Sequence, residues 1–151
     1  MYAFFTPGTD PKTQIITRIN AATSLIASFF QVYADGDIHD ALVAAQARMG
    51  YVWAIFDRRQ QYLEDTRLKE LQDAGVVVLI DNHCRQLRGN YIVLDDLWVL
   101  TGSYLYTGVY DAHYASQISI IDSFTVYDLY LANFVEHYDH SDLYVDPWPP
   151  D

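Results

Sequence analysis

The chain has 151 residues, of which 51% are hydrophobic, and a formal net charge of -11 at pH 7. The hydrophobic content argues against a disordered chain, and the length is enough for one domain with a substantial core. No run of residues is long and apolar enough to cross a bilayer, and the first residues lack the basic start and apolar core of an export signal. Because the single cysteine, Cys84, rules out an intrachain disulfide and fits a reducing compartment, we expect a cytoplasmic protein.

Helices and strands are predicted to alternate over the first half of the chain. Helical stretches show apolar residues at helical spacing, and the strands are continuous apolar runs of the kind that helices cover on both faces. The predicted order is a helix over 10–22, a strand over 24–34, a helix over 38–49, a strand over 51–56, a helix over 61–74 and a strand over 76–80. This alternation predicts an α/β sandwich with a mixed, mostly parallel sheet flanked by helices.

Two short strands joined by a tight acidic turn follow, in the stretch 87–107, LRGNYIVLDDLWVLTGSYLYT. One apolar run ends on Asp95, and a second apolar run leads into Gly102 and Ser103. A strand over 115–121 and a closing helix over 124–138 complete a single predicted domain, residues 1–138. Residues 139–151 are acidic and contain Pro147, Pro149 and Pro150, so we predict a tail without regular structure.

The stretch 87–107 resembles the signature segment of the phospholipase D superfamily, in its short branch of bacterial endonucleases with one motif per chain. There the signature is His-x-Lys-x4-Asp, followed by a hairpin and Gly-Ser. Asp95 takes the Asp position, and Gly102-Ser103 takes the Gly-Ser position. The same register puts Arg88 at the position of the catalytic His and Asn90 at that of the Lys. The likeness extends over nearly the whole chain, including residues 5–8, 38–45 and 71–76.

This resemblance implies that the fold is kept and the reaction is lost. The family forms a covalent phosphohistidine, for which the His supplies the nucleophile and the Lys neutralises phosphate oxygens. The guanidinium of Arg88 has no free lone pair for attack, and the amide of Asn90 supplies no charge. Ser116-Gln117 replaces a Glu-Asn pair that supports the catalytic His, and Leu105 replaces a polar Asn. We therefore expect a catalytically inactive protein without a cofactor.

A shifted register keeps an enzyme open as an alternative. His83 and Arg85 are also a His and a cation two residues apart, but the position five residues after Arg85 is Asn90 rather than an acid. On this alternative the chain is a divergent phosphodiesterase or endonuclease that uses His83, Asp95 and Ser103. A third interpretation, a structural component of an assembly, is compatible with the tail.

His113, His137 and His140 lie among carboxylates, and this combination of residue types can bind a divalent metal ion. His137 and His140 would be about one helical turn apart if the last helix continued that far. We expect the helix to end before His140, and no further ligand stands at a motif spacing. The sequence therefore favours an incidental solvated terminus and no metal site.

Charge is divided unevenly along the chain. Residues 1–88 hold all nine Lys and Arg beside ten Asp and Glu, whereas residues 89–151 hold ten Asp and Glu and no Lys or Arg, a net charge of -10. Proteins that hold nucleic acid neutralise phosphates with Lys and Arg, so the C-terminal part should repel DNA and RNA. The same charge would also serve simply to keep the protein soluble.

Tyrosines in this acidic part predict a surface that binds protein, because a rigid amphipathic ring gives contact area at low entropic cost. We also expect about half of them to alternate inward and fill the core. We expect a regulatory or inhibitory protein whose partner is a nucleic-acid-binding protein or an active relative, with no direct contact to nucleic acid or membrane. The resemblance also implies a homodimer, with the region from Arg88 to Ser103 near the interface. The predicted partner-binding residues are Tyr104, Tyr106, Tyr110, Asp111, Tyr138, Asp139, Asp142 and Tyr144.

Overall fold

One eight-stranded sheet lies at the centre of the computed structural model, which describes residues 1–63, 67–107 and 113–146. The elements in chain order are β1 (Tyr2–Thr6), α1 (Pro11–Ala21), β2 (Ile26–Phe30), α2 (Gly36–Met49), β3 (Val52–Asp57), a 3-10 helix (Gln60–Tyr62), α3 (Leu68–Asp73), β4 (Val77–Asp81), β5 (Asn90–Leu94), β6 (Trp98–Gly102), β7 (Ser116–Asp122), α4 (Phe124–His140) and β8 (Asp142–Leu143). In the sheet the strands lie in the order β1-β7-β6-β5-β2-β3-β4-β8.

The sheet is mixed, as predicted, but the prediction that it is mostly parallel is wrong. Parallel pairing joins β2 to β3 and β3 to β4, and the other five pairs of neighbouring strands are antiparallel. Parallel neighbours need a crossover connection, which α2 and α3 provide. After β4 the chain continues through a hairpin and edge strands, so antiparallel pairs accumulate in the second half.

Residues at the helix ends explain where α1 begins and where α2 begins and ends. The carboxylate of Asp10 accepts the N–H of Thr13 at 2.9 Å before α1, and that of Asp35 accepts the N–H groups of Asp37 and Ile38 before α2. Gly50 ends α2 in the left-handed conformation, with a φ of +76°. The predicted helix over 61–74 is shorter, because its described part is the 3-10 helix and α3. None of the described helices combines the length and apolar character needed to cross a membrane.

Both faces of the sheet are covered. Ile26 and Phe30 of β2 belong to the core cluster that includes residues of α1, α2 and α3. Ala27 and Phe29 belong to a second cluster that includes Tyr127 and Phe134 of α4. Alternate side chains of one strand therefore face different helix layers, which confirms that the apolar run in 24–34 is covered on both sides.

Residues after 138 differ from the predicted irregular tail. Helix α4 continues through His140, and Asp142–Leu143 pairs with β4 as the edge strand β8. Tyr144 is buried, and its N–H donates to the carbonyl of Val78 at 3.0 Å. The prediction of a tail without regular structure is therefore wrong for 139–144, and its prolines lie outside the described residues.

Candidate functional site

The motif positions fall at opposite ends of the β5–β6 hairpin. Tyr91 pairs with Thr101 and Leu94 pairs with Trp98, so the turn at Asp95 lies at one end, and Ser103 lies at the other. The five residues of β5 separate these ends by about 16 Å. A site that combines Asp95 with Ser103 is therefore excluded, which contradicts the alternative enzyme that uses these two residues.

One edge of the sheet collects the remaining motif positions. Asn90 is opposite Phe30, the last residue of β2, and Phe30 is in turn opposite Phe56 near the end of β3. Gly102 and Ser116 lie at the same end of β6 and β7. We call this the site edge: it lies at the carboxyl ends of the parallel strands β2, β3 and β4, where loops gather in open α/β sheets.

Asn90, which the resemblance predicts to take the position of a Lys, accepts a hydrogen bond from the backbone. Its side chain is 5% exposed, and its Oδ1 accepts the backbone N–H of Gln31 at 2.9 Å, directly after β2. Arg88, at the position of the nucleophile, is exposed in the loop before β5. The two changed positions therefore present one exposed guanidinium and one amide that is already engaged with the backbone.

Hydroxyl groups connect the strands next to these residues. The Oγ of Ser103 accepts the N–H of Gln117 at 3.1 Å. The Oγ1 of Thr6 donates to the carbonyl of Tyr114 at 2.7 Å and lies 2.6 Å from the Oγ of Ser116. These contacts hold β1, β6 and β7 together at the site edge. A pocket of about 270 Å³ opens beside them, lined by Ser103, Tyr104, Leu105, Thr107, Tyr114, Ala115 and Ser116.

Gly102 of the Gly-Ser pair is required by the close approach of β6 and β7. Its φ is +159°, and a Cβ at this position would lie 2.1 Å from the carbonyl oxygen of Gln117. The same oxygen accepts the N–H of Tyr104 at 3.0 Å. This glycine therefore sets the backbone geometry of the motif.

Asp95 anchors the hairpin turn to the start of β2. Its carboxylate accepts the N–H groups of Thr23 at 2.9 Å, Ser24 at 2.8 Å and Leu25 at 3.1 Å. Burial on its own would raise the pKa of Asp95, but these donors outweigh it and lower the pKa below the ordinary value. The retained acid of the motif is thus a structural residue.

Four arginines lie at the site edge, and one of them, Arg59, pairs with a buried carboxylate. Arg59 donates through Nε to the buried Asp57 at 2.7 Å. The other carboxylate oxygen of Asp57 accepts the N–H of Leu87 at 2.7 Å and so holds the β4–β5 loop against the end of β3. Exposed on these two loops are Arg58, Arg85 and Arg88.

A second group of polar residues lies at the end of β4, on the face covered by α4. The carboxylate of Asp81, 0% exposed, places Oδ2 at 2.7 Å from Nδ1 of His137 and 3.2 Å from Nε2 of His140. Its Oδ1 accepts the N–H groups of His83 and Cys84. The prediction of an incidental solvated terminus is therefore wrong for His137 and His140, because α4 extends far enough to turn both rings toward Asp81.

Ionisation in this group follows from burial and from these hydrogen bonds. Burial alone would raise the pKa of Asp81, but the N–H of Cys84 and the rings of His137 and His140 lower it below the ordinary value. Burial raises the pKa of the Cys84 thiol, and the nearby Asp81 carboxylate raises it further. Asp81 is thus held as a carboxylate beside a protonated thiol.

His83 lies next to the group formed by Asp81, His137 and His140. Its ring lies 4.7 Å from the ring of His140, centroid to centroid, at the C-terminal end of α4. Asp95, at the far end of β5, is in the opposite direction along the sheet. The shifted register therefore does not assemble a catalytic site in the structure, and His113 is an exposed residue elsewhere.

Three of the tyrosines predicted to bind a partner are in the core. Tyr104 and Tyr106 are each 1% exposed, and Tyr144 is 8% exposed, so their rings are not a contact surface. The expectation that about half of the tyrosines alternate inward is met by Tyr104-Leu105-Tyr106, where Leu105 is 39% exposed, and the assignment of these two tyrosines to the surface is wrong. Tyr138, Asp139 and Asp142 are exposed, whereas Tyr110 and Asp111 lie outside the described residues.

Comparison with known proteins places the chain in a family, although no family model matches it. It is 30% identical over 131 residues to a phospholipase D of Rickettsia bellii, covering 87% of this chain and 65% of the relative. A phospholipase D of Rickettsia conorii is 32% identical over 133 residues, covering 87% and 66%. The chain belongs to the phospholipase D superfamily. It spans about 65% of the length of these curated relatives.

Solved structures confirm the phospholipase D-like nuclease fold. Nuc of Salmonella typhimurium, a phospholipase D family member, superposes with a TM-score of 0.88 at 19% identity, covering 95% of this chain and 96% of Nuc. NucT of Helicobacter pylori gives 0.84 at 13% identity, covering 95% and 98%. TrmBL2, an archaeal chromatin protein, gives 0.68 at 12% identity, covering 95% of this chain and 55% of its own. The chain thus has a nuclease-like fold.

Proposed function

We propose that this chain is a catalytically inactive phospholipase D-like protein that acts by binding another protein. The observation that carries the proposal is the engagement of Asn90, whose Oδ1 accepts the Gln31 N–H where the family requires a cation. Arg88 stands at the nucleophile position, and a guanidinium cannot form a covalent bond to phosphorus at neutral pH. Formation of a phosphoenzyme therefore lacks both its nucleophile and its charge partner.

Hydrolysis is the direct test of inactivity. We expect the purified protein to hydrolyse bis(p-nitrophenyl) phosphate and single-stranded DNA no faster than buffer, and Arg88→Ala to behave identically, because Arg88 is exposed and outside the core. The double substitution Arg88→His with Asn90→Lys tests whether the missing groups are the cause, since any gain in rate must come from the restored pair. Hydrolysis by the unchanged protein that disappears in Arg88→Ala or His83→Ala would contradict the proposal.

We further propose that the protein is a homodimer that pairs through the site edge. Three apolar side chains are exposed around the pocket beside Ser103, namely Phe5 at 55%, Leu105 at 39% and Tyr114 at 59%. Buried in an interface, they would be removed from water at the place where single-motif relatives bring two motifs together. Light scattering on the protein used for the hydrolysis assay measures this directly, and a mass of one 17.4 kDa chain contradicts it.

The proposed partner surface is the acidic face, defined here as the exposed residues Asp128, Glu136, Tyr138, Asp139 and Asp142 of α4 and β8. The segment 113–146 contains no Lys or Arg to offset these charges. Elsewhere six of the nine basic side chains are engaged within the protein, namely Lys12, Arg18, Arg48, Arg59, Arg67 and Lys69. A partner with a basic surface, such as a nucleic-acid-binding protein, is complementary to the negative charge of the acidic face.

Charge reversal on two helices tests the acidic face. Asp139→Lys on α4 and Asp40→Lys on α2 change the net charge equally. Both carboxylates are exposed, and the two helices cover opposite faces of the sheet. We expect Asp139→Lys to weaken binding to a captured basic protein at least about tenfold, and Asp40→Lys to leave it nearly unchanged. Surface plasmon resonance at two salt concentrations reports both effects. Equal weakening by both variants would indicate a general charge effect and contradict a localised face.

Anion binding at the site edge is a second candidate function. Arg58, Arg85 and Arg88 are exposed on two loops that the contact between Asp57 and Leu87 holds together. Exposed guanidinium groups can hold a phosphodiester without cleaving it. Salt-sensitive binding of an oligonucleotide that is lost in Arg88→Ala, with no hydrolysis, would favour this function over recognition by the acidic face.

A further inference from the structure

Four side chains that can ligate a metal meet at the end of β4, outside the motif positions. Asp81, Cys84, His137 and His140 each offer one ligand atom, and these atoms all lie within 4.8 Å of one another. The local structure explains the meeting. Cys84 follows Asp81 by three residues in a turn that the Asp81 carboxylate closes, and His137 and His140 are one helical turn apart on α4.

From this arrangement we infer that the four side chains form a zinc site. Imidazole nitrogens, a thiolate and a carboxylate oxygen are the ligands that Zn²⁺ takes in proteins, and four of them complete a tetrahedron. On binding the ion, the thiol of Cys84 loses its proton to solvent. Typical zinc bond lengths imply ligand atoms about 3.3–3.8 Å apart. The Asp81 Oδ2 atom is already 2.7 Å and 3.2 Å from the two imidazole nitrogens, so small side-chain movements suffice.

The surroundings of Asp81 favour a preorganised site. Its Oδ1 accepts the N–H groups of His83 and Cys84, which fixes the orientation of the carboxylate and leaves Oδ2 directed at the histidines. Outer contacts of this kind commonly orient metal ligands. The carboxylate is fully buried, whereas Cys84, His137 and His140 are partly exposed, which gives an ion a path from solvent.

Four protein ligands leave no open position, so the site is structural rather than hydrolytic. It ties the β4–β5 loop and the C-terminal end of α4 to the end of β4. The same loop continues to Leu87, bonded to Asp57, and to Arg88 at the site edge. Zinc bound here would hold in place the loop that carries the altered motif, without taking part in phosphodiester chemistry.

Metal binding is tested with the full chain after chelator treatment. Zn²⁺ at about a hundred times its Kd should raise Tm by roughly 5–10 °C, because it binds the folded state. Co²⁺ in place of Zn²⁺ should give the visible bands of tetrahedral coordination and a thiolate charge-transfer band. Cys84→Ser should abolish the charge-transfer band, and Cys84→Ser and His137→Gln should each weaken binding at least roughly a hundredfold.

His83→Gln is the matched control, because His83 contacts His140 and is not one of the four ligands. It should retain the Tm shift and the cobalt spectrum. The alternative is that Asp81 only accepts hydrogen bonds from two histidines. A Tm that Zn²⁺ leaves unchanged, an octahedral cobalt spectrum without a charge-transfer band, or equal loss in His83→Gln and His137→Gln would each overturn the assignment. The unchanged protein supplies the first two results, so they do not depend on how any variant folds.

Discussion

Replacing Gly102 with Ala is expected to lower the free energy of unfolding by more than about 4 kcal/mol, a large share of the roughly 5–15 kcal/mol by which an ordinary protein is stable. The new Cβ would lie 2.1 Å from the carbonyl oxygen of Gln117, which belongs to the backbone of the neighbouring strand β7. A backbone atom cannot move aside as a flexible side chain can. The clash must therefore separate β6 from β7 or distort both strands, and β7 also carries the edge strand β1.

Gly89→Ala is the control for this experiment, because Gly89 is also at the site edge and a Cβ there meets nothing within 4 Å. Its effect should stay within about 1 kcal/mol in either direction. Chemical denaturation followed by circular dichroism compares the two variants, and yield of folded protein serves where Gly102→Ala does not fold. Equal stability of the two variants would show that the close approach of β6 and β7 is not tight.

Local chemistry made much of the fold predictable from the sequence. Asp10 before α1 and Gly50 after α2 act within a few residues of where they stand, so the predicted start of α1 and the predicted end of α2 lie within one residue of the observed ones. The acidic turn at Asp95 likewise separates two apolar runs and forms the predicted hairpin. Signals of this kind do not depend on which distant segment packs nearby.

Features that depend on distant partners were not predictable in the same way. Strand β1 is largely exposed and is defined by its pairing with β7, more than a hundred residues away. Strand β8 is two residues long and exists because β4 offers an edge. The direction of pairing also had to be inferred from the connections, and extending the alternation of the first half to the whole sheet overestimated the parallel part.

In the candidate sites, too, local features were predictable from the sequence and contacts between distant residues were not. The sequence located the altered motif, but it could not reveal that Asn90 is engaged by Gln31 or that Asp95 lies far from Ser103. His137 and His140 were noticed as a helical pair, and the error lay in where α4 ends. Their partner Asp81 is 56 residues from His137 in sequence, so no local spacing connects them.

Within the motif, the residues that match the family have structural roles that do not depend on catalysis. Gly102 permits the close approach of two strands, Ser103 accepts a backbone N–H of Gln117, and Asp95 anchors a turn. Asn90 also holds backbone rather than a ligand. The presence of Arg88 and Asn90 at the positions predicted for the His and Lys is therefore compatible with an intact fold, and the proposed binding function needs only that fold and its surface.

Asp95→Asn is expected to lower the free energy of unfolding by about 2–3 kcal/mol at pH 7, because a carboxylate that accepts three backbone N–H groups is replaced by a neutral amide. Asn keeps the positive φ of 54° accessible, so the loss reports charge and hydrogen bonding rather than backbone strain. Asp96→Asn is the control. Asp96 has a similar φ of 60° and accepts one hydroxyl, from Tyr127, so its effect should remain below about 1 kcal/mol.

The pH dependence of this difference identifies its cause. The pKa of Asp95 is lower in the folded protein than in the unfolded chain, so the unfolded chain binds the extra proton first as the pH falls. The stabilisation is complete above the unfolded pKa of about 4 and is lost as the pH falls through the lower folded pKa. Because Asp10 and Asp81 titrate in both proteins, the difference between unchanged protein and Asp95→Asn isolates Asp95. That difference, from urea denaturation between pH 7 and pH 2, should shrink toward zero in acid; a constant difference would show that the carboxylate charge is not what anchors the turn.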